Sequence, residues 1–273
     1  MKAFEIGTKK TILFYLHGLR GHAFAQKAAL EHMVKNHGVS VISLEMPGHG
    51  EDSFEEHCMV PAYRDLVAMI TDEVRRQSKD AEQVILMGYS FGGALMTLAA
   101  DELEQAQDFH PNVAGLIGIS TAFDVGHNVP WWQLWLARLI APISRFLFYK
   151  VPNYSHLLTI REMDISKISP QAAVQKSIHE DELVYKGRIP LNTSAQVYYT
   201  GLASSAALEH LSTRVLLLHS LDDEIALAPD PAKMPSHVKL KLFKNLRHNC
   251  IDGVAREAVV ARKTISQFIV DKL

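Results

Sequence analysis

One serine lies in a turn whose glycine spacing is typical of a catalytic nucleophile. The pentapeptide Gly88–Gly92 follows the strand-like run Val84–Met87 and precedes a helical pattern. A serine on such a sharp turn needs small residues two positions before and after it, and Gly88 and Gly92 supply them. The helix that follows presents free amides that favour negative charge. The pattern predicts that Ser90 attacks a carbonyl carbon, although the pentapeptide alone also occurs by accident in glycine-containing turns.

A histidine and two adjacent acids follow the serine along the chain. His248 comes just after the strand-like run Val238–Phe243, and Asp222 and Asp223 come after the run Arg214–Leu218. An imidazole can take the proton of a serine hydroxyl, and a carboxylate on the other ring nitrogen fixes the tautomer that accepts it. These residue types predict a triad, while a lone surface histidine and a solvated acidic loop are the simpler interpretations of each motif alone.

Short apolar runs alternate with helix-patterned stretches along most of the chain. The strand-like runs are Thr11–Leu16, Val39–Leu44, Gln83–Met87, Val113–Ile119, Arg214–Leu218 and Val238–Phe243. The helical patterns are Ala23–Lys35, Ala62–Gln77, Phe91–Glu104 and Asp252–Val270. Nearly continuous apolar runs are typical of parallel strands that are buried on both faces. The alternation therefore predicts an α/β fold with a doubly wound, mostly parallel sheet.

The serine turn in its strand–turn–helix setting resembles the α/β-hydrolase superfamily, as does the chain order Ser90, acid, His248. The resemblance spans almost the whole chain. It implies the α/β-hydrolase fold with a catalytic cleft at the carboxyl ends of the strands. Only about ten residues precede the first parallel strand, too few for the antiparallel pair that often begins this fold, so we expect about six strands.

The same resemblance implies an oxyanion hole and its support. The loop His17–Gly21 follows the first parallel strand, where the family places one oxyanion amide, and the residue after the nucleophile provides the other. These positions are the backbone N–H groups of Leu19 and Phe91. We expect His17 itself to be structural, and we expect the loop Glu45–Gly50, which resembles the family's Pro-Gly-His-Gly loop, to support the cleft.

The choice between the two acids also rests on the resemblance. The family commonly places an aliphatic residue three positions after its acid. Ile225 lies three positions after Asp222, whereas the residue three after Asp223 is Ala226. We therefore expect Asp222 to orient His248, with Asp223 as the alternative.

A stretch of some ninety residues interrupts the alternation. We predict that residues 121–210 form an inserted helical cap over an α/β-hydrolase core made of residues 1–120 and 211–273. The stretch carries all three tryptophans, Trp131, Trp132 and Trp135. They are candidates for lining an acyl pocket, with packing between cap and core as an equal alternative. The cap loosely resembles those of carboxylesterases and monoacylglycerol lipases.

Composition excludes several other classes of protein. Twenty-eight Lys and Arg face 30 Asp and Glu, with no basic block of the kind that nucleic-acid binding requires. No metal-ligand spacing, phosphate loop or dinucleotide fingerprint appears, so no cofactor or metal is expected. The apolar stretch Trp131–Tyr149 is interrupted by charges, so we expect no transmembrane segment. The short N-terminal apolar run and the two distant cysteines favour a cytoplasmic protein. The oligomeric state is left open, a homodimer included.

The expected activity is hydrolysis of carboxylic esters, with short- to medium-chain acyl groups or monoacylglycerol-like lipids, through an acyl-serine intermediate. Three alternatives would use the same triad: a thioesterase, a carbon–carbon bond hydrolase and a serine aminopeptidase. The aminopeptidase would need a cap carboxylate for the substrate amine, and the candidates are Glu162, Asp164, Glu180, Asp181 and Glu182. A non-catalytic receptor or scaffold on this fold is the alternative from another class.

Overall fold

The computed structural model describes residues 2–6, 10–35, 37–52, 58–109, 112–125, 159–160 and 162–272. Its strands are β1 (Lys2–Ile6), β2 (Thr11–Leu16), β3 (Val39–Leu44), β4 (Gln83–Tyr89), β5 (Asn112–Ile119), β6 (Thr159–Ile160), β7 (Ile189–Pro190), β8 (Val215–Ser220) and β9 (Val238–Phe243). Its helices are α1 (Lys27–Val34), α2 (Tyr63–Gln77), α3 (Phe91–Gln105), α4 (Ala172–Glu180), α5 (Leu191–Leu208) and α6 (Arg256–Val270).

The main sheet has the strand order β1-β3-β2-β4-β5-β8-β9. The six strands from β3 to β9 are parallel to their neighbours, which confirms the predicted doubly wound sheet. β1 adds one antiparallel strand beside β3. The central strands are buried along almost their whole length, whereas the edge strand β9 alternates exposed lysines with partly buried apolar residues. Charges on an edge strand discourage pairing with other chains.

Successive side chains of each central strand contribute to two different cores. In β2, Ile12, Phe14 and Leu16 belong to one hydrophobic cluster, and Leu13 and Tyr15 belong to the other. This split follows from the strand geometry, because neighbouring side chains point to opposite faces of a sheet. Helices α2 and α3 cover the first face, and α1 and α6 cover the second. The layered α/β architecture predicted from the sequence is thus confirmed.

Two predicted helices begin later than their apolar patterns suggest. α1 begins at Lys27 rather than Ala23, because the Ala23 N–H donates to the carboxylate of Glu45 at 3.0 Å and the chain turns there. α6 begins at Arg256 rather than Asp252, because residues 252–255 form a loop that is bonded to other parts of the chain. Both differences come from long-range contacts that local patterns do not contain.

The described part of the predicted insert contains β6, α4, β7 and α5. β6 and β7 pair with each other as a small antiparallel sheet, separate from the main one. α5 lies against α3, and its Leu208 belongs to the first core cluster. The carboxyl end of the predicted cap is therefore packed directly on the core. Of the helices in the described ranges, none combines the length and apolar character needed to cross a bilayer.

Candidate active site

Ser90 lies in the turn between β4 and α3 with a strained backbone. Its φ is 53° and its ψ is −118°, a region that non-glycine residues rarely adopt and that costs about 1–3 kcal/mol. Backbone hydrogen bonds fix the turn: the Ser90 N–H donates to Ile119 O at 2.8 Å, and the Ser90 carbonyl accepts from the Ala94 and Ala122 amides. The turn therefore presents the hydroxyl in one fixed place at the amino end of α3.

The two flanking glycines are required by close backbone contacts. A Cβ at Gly88 would lie 2.5 Å from the carbonyl carbon of Gly92, and a Cβ at Gly92 would lie 2.5 Å from the carbonyl oxygen of Leu16. Contacts this short occur with no real side chain, and backbone atoms cannot move aside cheaply. Glycines two positions before and after Ser90 are thus required because the strands and the helix α3 approach each other to van der Waals distance there.

Ser90, His248 and Asp223 form a continuous chain of hydrogen bonds. His248 Nε2 lies 2.8 Å from Ser90 Oγ, and His248 Nδ1 lies 2.7 Å from Asp223 Oδ2. All three residues are buried. An ionised carboxylate can only accept a hydrogen bond, so Nδ1 must carry the proton of the neutral imidazole and donate it to Asp223. Nε2 is therefore left to accept the serine proton. This is the arrangement that general-base activation of a serine requires.

The structure corrects the predicted partner of His248. Asp222 is exposed, and its Oδ2 accepts from the backbone N–H of Asn245 at 2.5 Å. Asp223 is turned inward because its other oxygen, Oδ1, accepts from the amides of Ile225 and Ala226 at 2.8 and 3.0 Å. Two neighbouring acids thus point in opposite directions. The family's aliphatic residue three positions after the acid predicted Asp222 because Ile225 lies at that distance. Three positions after Asp223 the chain has the smaller Ala226, which is buried.

The environment of Asp223 keeps its carboxyl ionised. Burial would raise its pKa, but the charge of His248 and hydrogen bonds from His219 and His248 outweigh burial and hold the pKa well below the usual range. His219 Nε2 lies 3.2 Å from the same oxygen that His248 contacts. His219 is a residue that sequence reasoning missed. Its only signal was its position at the end of the strand that precedes the acid loop.

The predicted oxyanion loop lies directly beside Ser90. A Cβ at Gly18 would be 3.1 Å from Ser90 Cβ, so the loop backbone is in contact with the turn. Leu19 and Phe91 line the same cavity as Ser90 and His248. Within the described residues, the backbone N–H groups of Leu19 and Phe91 have no acceptor from the protein. Both amides are therefore available to a ligand oxygen.

His17 lies beneath this loop, where it can act as support. Its ring is fully buried, Nδ1 lies 2.8 Å from Gly18 O, and Nε2 accepts from the Met46 amide at 3.1 Å. Glu45 Oε1 lies 2.5 Å from the same Nε2. The ring of His49 is 5.2 Å from that of His17, and Nδ1 of His49 is 3.0 Å from Pro47 O. The loop 45–50 and the loop 17–21 are thus joined through buried histidines.

His49 is expected to make the fold sensitive to mild acid. Burial, followed by the charge of His17, lowers its pKa from 6.5 to about 3, so the unfolded chain binds a proton that the folded chain does not. The free energy of unfolding therefore has its full value, as far as His49 is concerned, above pH 6.5. It falls by about 1.4 kcal/mol per pH unit as the pH drops towards 3. Urea unfolding of the wild type and His49→Asn between pH 7 and pH 4.5 should show a shallower decline for the variant, whose amide can still donate to Pro47 O. Equal slopes would contradict the assignment.

A cavity of about 1250 Å³ opens onto the serine and histidine. Part of its wall is apolar and comes from the described insert: Val174, Ile178, Val184, Ile189, Leu191, Ala195 and Val197. Charged residues also line it: Arg20, Glu162, Asp164, Lys167, Asp181 and Glu224. The volume is at least that of typical small-molecule sites. The cavity therefore has room for a substrate with an apolar chain and a polar head.

Some predicted substrate contacts lie outside what the structure describes. Trp131, Trp132 and Trp135 fall outside the described residues, so their role stays a prediction. Among the candidate cap acids, Glu162, Asp164 and Asp181 line the cavity, whereas Glu180 and Glu182 are not part of the lining. Asp181 already bonds to His22 at 2.8 Å, and Asp164 to the hydroxyl of Ser166 at 2.6 Å. Two of the three lining acids are thus engaged by protein donors.

Comparison with known families agrees with this geometry. A family model described as "Serine aminopeptidase, S33" matches residues 7–252. The matched span contains Ser90, Asp223 and His248, together with Leu19 and Phe91, whose amides are the predicted oxyanion donors. A comparison with curated proteins finds no match.

Several solved structures share the fold at low sequence identity. A monoacylglycerol lipase from Paleococcus ferrophilus superposes with a TM-score of 0.78 at 19% identity, covering 100% of this chain and 99% of that one. A soluble variant of monoglyceride lipase from Saccharomyces cerevisiae gives 0.71 at 16%, covering 97% and 88%. A carboxyl esterase from Bacillus coagulans gives 0.69 at 14%, covering 97% and 90%. These similarities establish that the chain has an α/β-hydrolase fold.

Proposed function

This chain belongs to the serine aminopeptidase S33 family of hydrolases, and from that premise we propose that it is a serine hydrolase that cleaves carboxylic esters through an acyl-serine intermediate. The observation that carries the proposal is the hydrogen-bonded chain from Asp223 through His248 to Ser90, which faces a large cavity. We propose Ser90 as nucleophile, His248 as general base and Asp223 as the carboxylate that orients the base.

In the proposed acylation step, His248 Nε2 takes the proton of Ser90 Oγ as that oxygen bonds to the ester carbonyl carbon. The carbonyl electrons move onto the oxygen, which then accepts from the N–H groups of Leu19 and Phe91. Each such donor is worth about 3–4 kcal/mol in the transition state. When the intermediate collapses, the bond to the alcohol oxygen breaks and His248 gives that oxygen the proton.

In the proposed deacylation step, a water replaces the alcohol beside His248. The imidazole takes one proton from the water as the water oxygen attacks the acyl carbon, and the same two amides hold the oxyanion. Collapse breaks the bond to Ser90 Oγ, which recovers its proton from His248. The carboxylic acid then leaves, and the site returns to its starting state with one water consumed for each ester.

The cavity supports short- to medium-chain acyl groups or monoacylglycerol-like lipids as substrates. Its apolar wall can take a hydrocarbon chain, and its charged lining can bind the hydroxyl groups of an alcohol. Two of the similar structures are described as monoacylglycerol and monoglyceride lipases, and a third as a carboxyl esterase in complex with glycerol. An aminopeptidase is favoured less, because two of the three candidate cap acids that line the cavity already hydrogen-bond to protein side chains.

We also propose a cytoplasmic location. Cys58 and Cys250 are both buried and unpaired, and burial raises the pKa of each thiol to about 12, so neither carries appreciable thiolate at neutral pH. Unpaired thiols fit a reducing compartment.

A substrate panel tests the bond that is cleaved. The purified protein would be assayed with p-nitrophenyl esters from acetate to laurate, with a monoacylglycerol, and with aminoacyl p-nitroanilides. We expect kcat/KM for the best ester to exceed that for any anilide by at least about 100-fold. Intact-mass measurement after a fluorophosphonate probe should show one adduct, mapped to Ser90. Preference for the anilides would overturn the ester proposal, and an unlabelled protein would overturn catalysis by serine.

A further inference from the structure

A short segment of the insert bonds directly to the loop that carries His248. The segment is Ser166–Gln171, and we call it the anchor segment. Its first three carbonyl oxygens each accept a hydrogen bond from successive residues of the histidine loop: Ser166 O from the guanidinium of Arg247, Lys167 O from the His248 N–H at 3.4 Å, and Ile168 O from the Asn249 N–H at 2.7 Å. The two stretches thus lie side by side for three residues.

Gln171, the last residue of the anchor segment, also bonds to the histidine loop, through its side-chain amide. Its Oε1 accepts from the backbone N–H groups of Val254 and Ala255 at 3.0 and 3.1 Å, and its Nε2 donates to Asp252 O at 3.1 Å. One side chain therefore satisfies three backbone groups of the histidine loop. Both the nitrogen and the oxygen of its amide are hydrogen-bonded, so a substitution that removes either atom removes an identified bond.

The local sequence explains why a glutamine stands here. Gln171 is the residue before α4, yet its side chain makes no bond to its own helix. It reaches instead to the residues before α6, where Ala255 precedes the helix and has no side-chain acceptor of its own. Gly253, with φ +83°, makes room for it, because a Cβ at that position would lie 2.7 Å from Gln171 Cδ. The glutamine thus binds the amides of the two residues that immediately precede α6.

A second set of bonds connects this contact to the imidazole. Asn249 Oδ1 accepts from the backbone N–H groups of Ile251 and Asp252 at 3.2 and 3.0 Å. Asp252 is the residue whose carbonyl accepts from Gln171, and Asn249 is the neighbour of His248. The turn 249–252 is therefore held at Asn249 by Ile168 and at Asp252 by Gln171. Movement of that turn would displace the imidazole from Ser90 and Asp223.

We propose that Gln171 is a positioning residue for His248, acting from the insert on the histidine loop rather than on the substrate. This inference rests on the proposed function for its effect on turnover. A misplacement of a catalytic group by about 1 Å can cost about 100-fold in rate, whereas Gln171 itself is not among the residues that line the cavity. The loss therefore falls on kcat and not on KM.

Gln171→Ala tests the inference, with Gln175→Ala as its matched control. Gln175 lies one turn further along α4 and donates to Ser169 O at 2.8 Å, within the insert rather than to the histidine loop. For Gln171→Ala we expect kcat for the best ester to fall about 10- to 100-fold with KM within about threefold, and amide hydrogen exchange to become faster in residues 249–255. For Gln175→Ala we expect both quantities to stay near the wild-type values.

Gln171→Glu separates positioning from a loss of folding. It keeps an acceptor for the Val254 and Ala255 amides but places a carboxylate oxygen against Asp252 O in place of the donor, so its kcat should lie between those of Gln171→Ala and the wild type. Equal kcat values for the two alanine variants would overturn the inference, as would a fall in kcat without faster exchange in residues 249–255. If the wild-type protein hydrolyses no ester, the proposed function is wrong, and the exchange data alone still decide whether Gln171 holds the loop.

Discussion

Replacing Asp223 with asparagine is expected to lower kcat for ester hydrolysis by about 10⁴-fold. The asparagine can keep its oxygen on the Ile225 and Ala226 amides, so the loop should fold as before. Its Nδ2 would then face His248 and donate to Nδ1, which moves the imidazole proton to Nε2. That nitrogen could no longer accept the proton of Ser90. Steady-state kinetics and a thermal melt of the variant measure the two effects separately.

Asp222→Asn is the matched control, because it makes the same chemical change at the adjacent residue. Asp222 is exposed, and within the described residues its carboxylate hydrogen-bonds only to the Asn245 amide, so we expect its kcat to stay within about threefold of wild type. A large loss in Asp222→Asn with a small one in Asp223→Asn would restore the carboxylate that the sequence favoured. Because the pKa of Asp223 is held far below neutral, its own titration should not appear in the pH–rate profile between pH 5 and 9.

Replacing Ser90 with alanine is expected to lower kcat by about 10⁵- to 10⁶-fold. Without the hydroxyl no acyl-enzyme can form, and only direct attack by water beside the amides of Leu19 and Phe91 remains. The variant should remain folded, because alanine has no larger side chain and the backbone bonds of the turn do not involve Oγ. Fluorophosphonate labelling should disappear with the activity.

The double variant Ser90→Ala, His248→Ala tests whether the two residues act as one unit. The hydrogen bond of 2.8 Å between them serves one proton transfer, so removing the second partner should add less than about tenfold to the loss caused by the first. Activity that falls by the product of the two single losses would mean that His248 acts in a step that does not involve Ser90. The same assay on Gln175→Ala gives the baseline for a substitution outside the site.

The sequence predicted the parts of the site that depend on local geometry. Gly88 and Gly92 revealed the turn at Ser90, because only glycine fits where a strand and a helix meet so closely. The nearly continuous apolar character of β2, β4 and β8 indicated strands that are buried on both faces. Since the carboxyl ends of parallel strands lie along one edge of the sheet, the loops after them had to converge.

The choice of acid depended on contacts that no local pattern contains. Asp222 and Asp223 are chemically identical neighbours, and which one faces His248 is decided by the amides of Ile225 and Ala226 and by the loop at Asn245. The role of Gln171 is of the same kind, since its three partners lie 81 to 84 residues further along the chain. Residue type alone gave no reason to single out this glutamine.

The sequence by itself predicted the fold class from the periodicity of its apolar runs, and the turn at Ser90 from a backbone conformation that few residue types can adopt. It predicted His248 from a position after the last strand to which the family resemblance pointed. Only the tertiary structure decided which acid hydrogen-bonds to His248, the contact between residues 166–171 and the histidine loop, and the late starts of α1 and α6. The physical reason is that side-chain direction in a loop is set by hydrogen bonds to whichever segment lies opposite. That partner is fixed only when the whole chain has folded.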